Sequence, residues 1–459
     1  MPLNLLQLAT PLREKGFDVQ ILDLHIEKPS NHELRKYLEK ALLVGISAFT
    51  GLQSAEAIRF ARIIRNIDSK IPIVWGGYHP SLWKELASKS ELVDYVITGC
   101  GEKALSELAL NFQNGELPSG KIIDGGLVEN IPSPLMDLIK PEKYIARTLL
   151  AERVANINTS YGCPHQCSFC AVNKTFNRKW AAKHPEQVLD ETEYLASRWA
   201  INGLEFSDNA PWVDKNRMMQ IAQGFIQGGL KLSWMSMARA DELNSLSVDE
   251  WRLLAASGFR RVFVGIETGD DRILKSMGKG ENENDYLQFA ENCAKHGVIP
   301  DYSFTLGYPP EPMEDIEKSF ELIRKLKKMT PSGTVMLYRY TPYSPDSLNL
   351  SDYGFPSTWD QWAEYPWDSY SLTSAAHPWL EARHKRRIRD FETVMTCAYH
   401  REEGILPGRG KCSWLVGLLV PIAHMRWENR KYSSPWEIRV LRRTFLMMNR
   451  GSGRSGIAT

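Results

Sequence analysis

The stretch that decides the fold is Tyr161-Gly-Cys-Pro-His-Gln-Cys-Ser-Phe-Cys170, which follows a strand-like run at 154–160. Its cysteines, Cys163, Cys167 and Cys170, are separated by four and then three positions. Glycine and proline beside the first cysteine exclude a regular helix there, so the stretch is predicted to be a loop that leaves a strand. A closed structural zinc site has four protein ligands. Three thiolates on a four-iron, four-sulfur cluster instead leave one iron open for a substrate or cosubstrate.

The same stretch resembles the cluster motif of the radical S-adenosylmethionine (SAM) enzymes, Cys-x3-Cys-x-aromatic-Cys, with Phe169 at the aromatic position. The resemblance implies that the three cysteines bind a [4Fe-4S] cluster and are catalytic, and that Phe169 lies beside SAM. The alternative is a zinc knuckle in which His165 is the fourth ligand.

Composition narrows the class of protein. A chain of 459 residues is expected to form two or three domains, and its net charge of +1 gives no reason to expect nucleic acid as a partner. Seven cysteines, three of them clustered, differ from a secreted disulfide framework. We find no signal-peptide pattern and no apolar run of the roughly 18 residues that a membrane span needs. The sequence therefore predicts a reduced, cytoplasmic protein.

Residues 1–114 alternate between helical and strand-like patterns, which predicts a doubly wound, Rossmann-like parallel sheet. The predicted strands are 19–23, 43–47, 71–75 and 94–98. Three of them end in small or polar residues, at 47–50, 76–79 and 99–102, where a ligand can approach the backbone closely.

Ahead of the cysteine motif, these turns resemble the cobalamin-binding domain of one branch of the radical SAM superfamily. The resemblance implies that seven residues contact cobalamin: Ser47, Thr50, Gly76, Gly77, His79, Gly99 and Glu102. His79 is expected in the pocket of the nucleotide tail. Family members begin with a strand, but here Met1 falls almost at the first helix, so the first strand is expected to be missing or supplied otherwise. His25 is interpreted as a surface-loop residue rather than a cobalt ligand.

After a turn-rich linker at 115–150, residues 151–348 show six strands separated by helices, which predicts a partial (β/α)6 barrel. Polar residues gather at the carboxyl ends of these strands, where barrel active sites form. The family resemblance implies that five of them surround SAM: Asp208, Ser236, Arg239, Glu267 and Gly307.

Residues 349–459 are predicted to be a helical C-terminal region, with helices near 381–396 and 436–448. From Pro378 onward, sixteen Lys and Arg face seven Asp and Glu. One interpretation is a helical cap over the barrel mouth with solvated charges. The other is a basic, aromatic surface that docks an anionic or lipid-like substrate or a membrane face.

The resemblance implies reductive cleavage of SAM to a 5′-deoxyadenosyl radical and methylation of an unactivated carbon through methylcobalamin. The expected cofactors are the [4Fe-4S] cluster, SAM and cobalamin. The expected partners are a small-molecule substrate, anionic or lipid-like, and a reductant such as flavodoxin or ferredoxin. A radical SAM cyclase or oxidoreductase without a methyl-carrying cobalamin is the alternative enzyme. A protein that holds the cluster but cleaves no SAM is the alternative from another class.

Overall fold

The computed structural model describes residues 1–309, 312–340, 355–365, 380–400 and 413–449. Its strands, numbered along the chain, are β1 (Val44–Ser47), β2 (Ile73–Gly76), β3 (Tyr95–Thr98), β4 (Ile122–Asp124), β5 (Val154–Ile157), β6 (Ser160–Gly162), β7 (Trp180–Ala182), β8 (Gly203–Phe206), β9 (Ser233–Ala238), β10 (Phe259–Glu267), β11 (Ile299–Leu306) and β12 (Thr334–Arg339). Short 3₁₀ turns occur at Met136–Leu138, Pro141–Lys143, Pro211–Val213 and Asp360–Ala363.

The α-helices, numbered in the same way, are α1 (Leu3–Glu14), α2 (Asn31–Leu38), α3 (Leu52–Ile67), α4 (Tyr78–Leu82), α5 (Lys84–Ala87), α6 (Glu102–Asn114), α7 (Ala171–Phe176), α8 (Pro185–Trp199), α9 (Lys215–Gln227), α10 (Ala240–Asn244), α11 (Val248–Ala256), α12 (Asp271–Ser276), α13 (Glu283–His296), α14 (Pro312–Met329), α15 (Ala382–Ala398), α16 (Ser413–Glu428) and α17 (Trp436–Asn449). No helix within the described ranges is long and apolar enough to cross a membrane.

The first sheet has the strand order β1-β2-β3-β4, and every pair in it is parallel. Apolar residues cover both of its faces. One face packs on α3, α5 and residues 355–365, and the other packs on α6. β4 falls within the range predicted to be linker, because the chain returns after α6 to extend this sheet.

One predicted strand is wrong: residues 19–23 form no strand. In the flavodoxin-like order 2-1-3-4-5, the second strand reaches the sheet only through the first. Here α1 begins at Leu3 and no described strand precedes it, so 19–23 has no ladder to join. β1 is therefore an edge strand, and its Gly45 and Ser47 are exposed.

The second sheet confirms the predicted partial barrel of six strands. Its order is β12-β11-β10-β9-β8-β5, all parallel. Helices α8, α9, α11, α13 and α14 contribute apolar faces to one continuous core with these strands. Leu3 and Leu6 of α1 join the same core, so α1 connects the part of the chain that contains the first sheet to the barrel. That part of the chain is called the first region below.

The C-terminal helices are confirmed, but they are not confined to the barrel mouth. Phe391 of α15 stacks on Phe320 of α14 with ring centroids 3.6 Å apart, so this part packs on the outside of the barrel. Leu380 approaches Gly307 at a strand end. Residues 355–365 instead pack on the first sheet, where Trp359 and Trp362 are buried.

Candidate functional site

The cysteine loop is shaped by a short antiparallel pair, β6 with β7. Gly162 has a φ of 78°, and a Cβ at this position would lie 2.1 Å from the carbonyl oxygen of Lys179. Only glycine fits this combination of conformation and contact. The Cys163 N–H donates to the same carbonyl at 3.1 Å, which fixes the point where the loop leaves the strand.

The other two cysteines sit at the start of α7. The Cys170 N–H donates to the Cys167 carbonyl at 3.2 Å, and Cys170 is the N-cap residue of the helix. The backbone N–H groups of Val172 and Asn173 donate to the Cys170 thiol, and that of His165 donates to the Cys163 thiol. Backbone donors of this kind stabilise a thiolate.

Burial opposes that effect and raises the pKa of all three thiols, to about 11 for Cys170. Because metals bind cysteine as thiolate, assembly of a metal centre in this loop must release protons.

The zinc-knuckle alternative finds no support in the position of His165. Its Nε2 lies 3.3 Å from the Glu242 Oε1 atom, which makes an ion pair when the imidazole is protonated. In the part of the chain that the structure describes, no group of three or more His, Cys, Asp and Glu side chains is arranged to hold a single metal ion.

A buried lysine that sequence analysis missed lies at the centre of the charged groups behind Cys167. The Lys279 Nζ atom is 3.4 Å from the Glu267 Oε1 atom and 3.4 Å from the Glu281 Oε2 atom. Burial lowers the pKa of Lys279, but the charges of Glu267, Glu281 and Cys167 outweigh it, so the net shift is upward. A cation therefore sits between two carboxylates beside the cysteine loop.

Arg239, predicted to lie beside SAM, pairs within the chain. Its Nε and Nη2 atoms donate to the two oxygens of Asp241 at 2.9 and 2.8 Å. Nη2 also donates to the Lys279 carbonyl at 2.8 Å. The bidentate edge formed by Nε and Nη2 is thus occupied by Asp241, and Arg239 fixes the backbone of Lys279.

Glu267 ends β10 in a left-handed conformation, with φ of 70°, at a bulge in the sheet. Such strain in a residue other than glycine is concentrated at functional sites. Its Oε2 accepts a hydrogen bond from Thr305 at 2.8 Å. A Cβ at Gly265 would lie 2.4 Å from the Glu267 Oε1 atom, so this glycine leaves room for the Glu267–Lys279 pair.

Asp208 is fully buried at the end of β8. Its Oδ1 accepts the N–H groups of Thr159 and Ser160 and the Ser160 hydroxyl, which braces the backbone just before the cysteine loop. Its Oδ2 has no hydrogen-bond partner among the described residues. Burial raises the pKa of Asp208, against the effects of these hydrogen bonds and of Arg217.

The remaining residues predicted around SAM lie at neighbouring strand ends. Phe169 is half-buried in the cysteine loop. Ser236 is buried, and its hydroxyl accepts from Trp212 Nε1 at 2.9 Å. The Gly307 N–H donates to Asp315 Oδ2 at 2.7 Å, and Asp315 Oδ1 accepts from Thr268. Asp315, which sequence analysis missed, thereby ties together the loops after β10 and β11.

The residues predicted to bind cobalamin lie at one edge of the first sheet but are divided between its two faces. Thr50 Oγ1 and His79 Nδ1 are 3.1 Å apart. The His79 ring stacks on Trp359 at 4.9 Å and meets Trp362 edge-on at 4.9 Å. Burial lowers the pKa of His79 to about 3, so its imidazole is neutral. His79 is therefore enclosed by tryptophans that come from residues 355–365.

The other face of this edge turns toward the barrel. Glu102 begins α6 and is buried, and burial raises its pKa. Tyr161 Oη lies 3.0 Å from Glu102 Oε1 and 2.7 Å from Gln7 Oε1, so its one hydroxyl proton can be donated to either oxygen. Glu102 Oε2 has no hydrogen-bond partner in the described chain. Ser47 is exposed, while Gly76, Gly77 and Gly99 form the turns.

Aromatic residues complete the contact between the two regions. Tyr78 of α4 lies 4.9 Å from the Phe49 ring and 6.0 Å from the ring of Phe176 in α7. The Asn209 amide, next to Asp208, donates to Tyr78 Oη at 3.1 Å. The edge of the first sheet where cobalamin is predicted to bind therefore contacts the helix that follows the cysteines.

Comparisons with known proteins agree with this architecture. Residues 157–323 match the family model of the Radical SAM superfamily, and residues 1–109 match that of the B12 binding domain. An uncharacterized methyltransferase from Pyrococcus horikoshii is 29% identical over 346 residues, covering 71% of this chain and 73% of that protein.

Two further comparisons extend the range of relatives. The anaerobic magnesium-protoporphyrin IX monomethyl ester cyclase from Synechocystis is 23% identical, covering 78% of this chain and 71% of its own. The radical SAM methyltransferase TsrM from Kitasatospora setae has the same fold, with a TM-score of 0.63 and 18% identity over 84% of this chain and 85% of its own.

Proposed function

The chain belongs to the Radical SAM superfamily and carries a B12 binding domain, and from that membership we propose that it is a cobalamin-dependent radical SAM methyltransferase. The proposed reaction moves a methyl group from SAM to an unactivated carbon of a small-molecule substrate. When bound, the reduced [4Fe-4S] cluster supplies the electron that cleaves SAM, and cobalamin supplies the methyl carrier.

One observation carries the proposal: the carboxyl ends of the strands in the first sheet face the carboxyl ends of the strands in the barrel. The hydrogen bonds Tyr78–Asn209 and Tyr161–Glu102 cross between the strand ends of the first sheet and the cysteine loop of the barrel. A methyl carrier held at the first edge would therefore lie next to a SAM molecule held at the second. Chemistry shared between two cofactors requires such an approach.

The barrel residues fit a cluster and SAM. Cys163, Cys167 and Cys170 supply three thiolates and leave one iron open. Asp208 offers a buried oxygen that no described residue occupies, which suits the ammonium group of SAM. We assign the Lys279 ammonium to charge compensation of the thiolates and the SAM carboxylate, because the bidentate edge of Arg239 already holds Asp241.

The residues at the first edge fit a ligand that carries amide groups, as the corrin ring does. Glu102 Oε2 is a buried acceptor without a partner among the described residues. Ser47 is exposed at the end of the edge strand β1. We propose that Glu102, Ser47 and the glycine turns contact cobalamin, and that Thr50 and His79 support the turn from behind.

A radical SAM cyclase or oxidoreductase is the second candidate, because the Synechocystis relative is a cyclase. A protein that holds the cluster without cleaving SAM is the third. Product analysis separates them: 5′-deoxyadenosine marks both enzymes, and S-adenosylhomocysteine formed with substrate marks the methyltransferase.

The first experiment is anaerobic reconstitution of the full chain with iron, sulfide and hydroxocobalamin, followed by desalting and measurement of bound iron and cobalamin. About one cobalamin per chain supports the methyltransferase. A cluster without cobalamin would remove it and favour the second candidate. Titration with a reductant such as flavodoxin or ferredoxin, in the presence of SAM, then tests for 5′-deoxyadenosine.

A further inference from the structure

The two C-terminal helices expose apolar residues at helical spacing. In α17, Trp436, Val440 and Met447 are 69, 56 and 54% exposed. Their spacing of four and seven places them on one face of the helix, with Arg443 between Val440 and Met447. The opposite face is buried at Ile438. The exposed residues are therefore not needed to attach α17 to the protein.

The neighbouring helix repeats this arrangement. In α16, Leu418 and Met425 are 50 and 60% exposed and lie seven positions apart, with Pro421 exposed between them. The buried residues Leu419, Ala423 and Trp427 hold the other face against the core. A helix that is apolar on both faces is unusual on a surface that contacts only water. We call the exposed faces of α16 and α17 together the C-terminal apolar face.

Positive charge accompanies the C-terminal apolar face. Residues 413–449 contain six Lys and Arg against two Glu. Arg426 pairs with Glu437, and Arg439 pairs with Asp390. Among the residues that the structure describes, Lys431 and Arg443 have no acidic ion-pair partner. The surface thus combines exposed apolar side chains, a tryptophan and uncompensated basic charge.

We propose that the C-terminal apolar face docks on an anionic membrane surface. Tryptophan and arginine around an apolar stripe are typical of helices that lie in the plane of a lipid interface. No described helix is able to span a membrane, so the contact would be peripheral. The inference does not depend on which reaction the barrel catalyses.

A second copy of the chain and nucleic acid both fit the C-terminal apolar face less well than anionic lipid does. In a two-fold dimer the face would meet its own copy and bring arginines against arginines. Nucleic acid would satisfy the arginines, but phosphates offer nothing to Leu418, Met425 and Val440. Anionic lipid satisfies both features, because headgroups pair with the basic residues while the apolar side chains enter the acyl boundary.

The test is flotation of the reconstituted full-length protein with vesicles of phosphatidylglycerol and phosphatidylcholine, compared with phosphatidylcholine alone. We expect flotation with the anionic vesicles at about 0.1 M salt and its loss near 1 M salt, where exposed charges are screened. Absence of flotation with anionic vesicles would overturn the proposal.

Three variants locate the contact. Trp436→Ser combined with Met447→Ser is expected to lower partitioning by about tenfold or more, since less apolar surface enters the lipid. Arg442→Gln combined with Arg443→Gln is expected to lower it by about fivefold for each arginine. Leu117→Ser is the matched control, because Leu117 is 66% exposed in the first region, and it should leave partitioning unchanged.

Equal loss in the Leu117 control would mean non-specific adsorption and overturn the proposal. So would undiminished flotation of the Trp436 and Met447 variant. Light scattering of the same samples tests the alternative that the C-terminal apolar face forms a dimer. A dimer that this variant converts to monomer, without any change in flotation, would assign the face to a second copy instead.

Discussion

The barrel and the first sheet differ in how completely they are built. The barrel has six strands, and β11 in its interior is almost fully buried. The first sheet has four strands, and β1 at its edge exposes Gly45 and Ser47. The barrel also places buried charges of opposite sign next to one another, as Lys279, Glu267 and Glu281 illustrate.

The first sheet obtains part of its core from elsewhere in the chain. Trp359 and Trp362 fill the space beside Trp75 and His79, and Arg59 donates to the Ala363 carbonyl. Ser90 donates to Asp360 at 2.9 Å. The cluster site is thus built from residues of the barrel alone, whereas the proposed cobalamin site depends on residues 355–365, which follow the barrel in the chain. The predictions below test this difference between the first sheet and the barrel.

The largest effect is expected at the cysteine loop. Cys167→Ala should reduce iron and sulfide incorporation and 5′-deoxyadenosine formation to background, because three thiolates are required to hold the cluster. Cobalamin binding should persist, since the first edge does not use this residue. A variant that still cleaves SAM would contradict the central assignment. Cys293→Ala, a buried cysteine in α13, is the control and should retain its cluster.

The second largest effect is expected for Lys279→Met. Breaking a buried charge pair costs about 3–5 kcal/mol when the partners stay behind, and here Glu267 and Glu281 would lose their cation. We expect kcat/KM for 5′-deoxyadenosine formation to fall at least about 100-fold. Lys279→Arg keeps the charge and should recover part of the rate. Equal activity of Lys279→Met and the parent would show that the lysine has no role at the site.

Trp359→Ala tests the dependence of the first sheet on residues 355–365. Removing a buried aromatic side chain costs about 3–5 kcal/mol. We expect faster hydrogen exchange in β1 and β2, weaker cobalamin binding and unchanged cluster content. Trp436→Ala is the matched control, since Trp436 is exposed, and it should change none of these. Equal acceleration of exchange in barrel strands β10 and β11 would contradict the separation of the two regions.

The pH dependence of barrel stability should report on Asp315. Burial raises its pKa to about 6, against hydrogen bonds from Thr268, Tyr308 and Gly307. Between about pH 4 and 6 the unfolded chain loses this proton while the folded protein keeps it, so the free energy of unfolding should decrease as pH rises. The contribution is at most about 3 kcal/mol.

Asp315→Asn cannot ionise and should remove this part of the pH dependence. Urea unfolding of both proteins at pH 4.0 to 6.5, a range of roughly the 2–3 pH units around the shift, measures the difference. Parallel curves for the two proteins would mean that Asp315 does not titrate in this window.

The smallest effect is expected at the link between the regions. Tyr161→Phe removes the hydroxyl that lies within hydrogen-bond distance of both Glu102 and Gln7, at a cost of about 1–2 kcal/mol. We expect cobalamin affinity to fall by up to about tenfold. Tyr302→Phe makes the same change inside the barrel, where Tyr302 bonds Thr330, and should leave cobalamin affinity unchanged. Equal cobalamin affinities of the two variants would show that the contact between the first sheet and the barrel does not affect cobalamin binding.

The sequence predicted the features that depend on local pattern. The alternation of helices and strands, the six barrel strands and the loop of three cysteines follow from periodicity and spacing. The predicted strand at 19–23 was wrong because a strand needs a neighbour as well as an apolar run, and no strand among the described residues takes the place of its usual neighbour. Pattern alone does not report whether a ladder partner exists.

The residues that were missed depend on distant contacts. Lys279 gains its role from Glu267, Glu281 and Cys167, which converge only after folding. His79 was predicted from a glycine turn, but its enclosure by Trp359 joins residues 280 positions apart. A lysine between two glycines, shortly after a strand that ends in glutamate, is the sequence signal that would have drawn attention to Lys279. The contact between His79 and Trp359 has no comparable signal in the local sequence.

The position of Trp359 along the chain also sets an order of events during synthesis. Residues 1–114 leave the ribosome first, yet the core of the first sheet stays open until residue 365 has been made. At 5–20 residues per second this interval is roughly 10–50 s. Throughout it, the apolar surface around Trp75 and the open edge of β1 are exposed to other chains. The earliest part of the protein to be made therefore closes only after all six barrel strands have been synthesised.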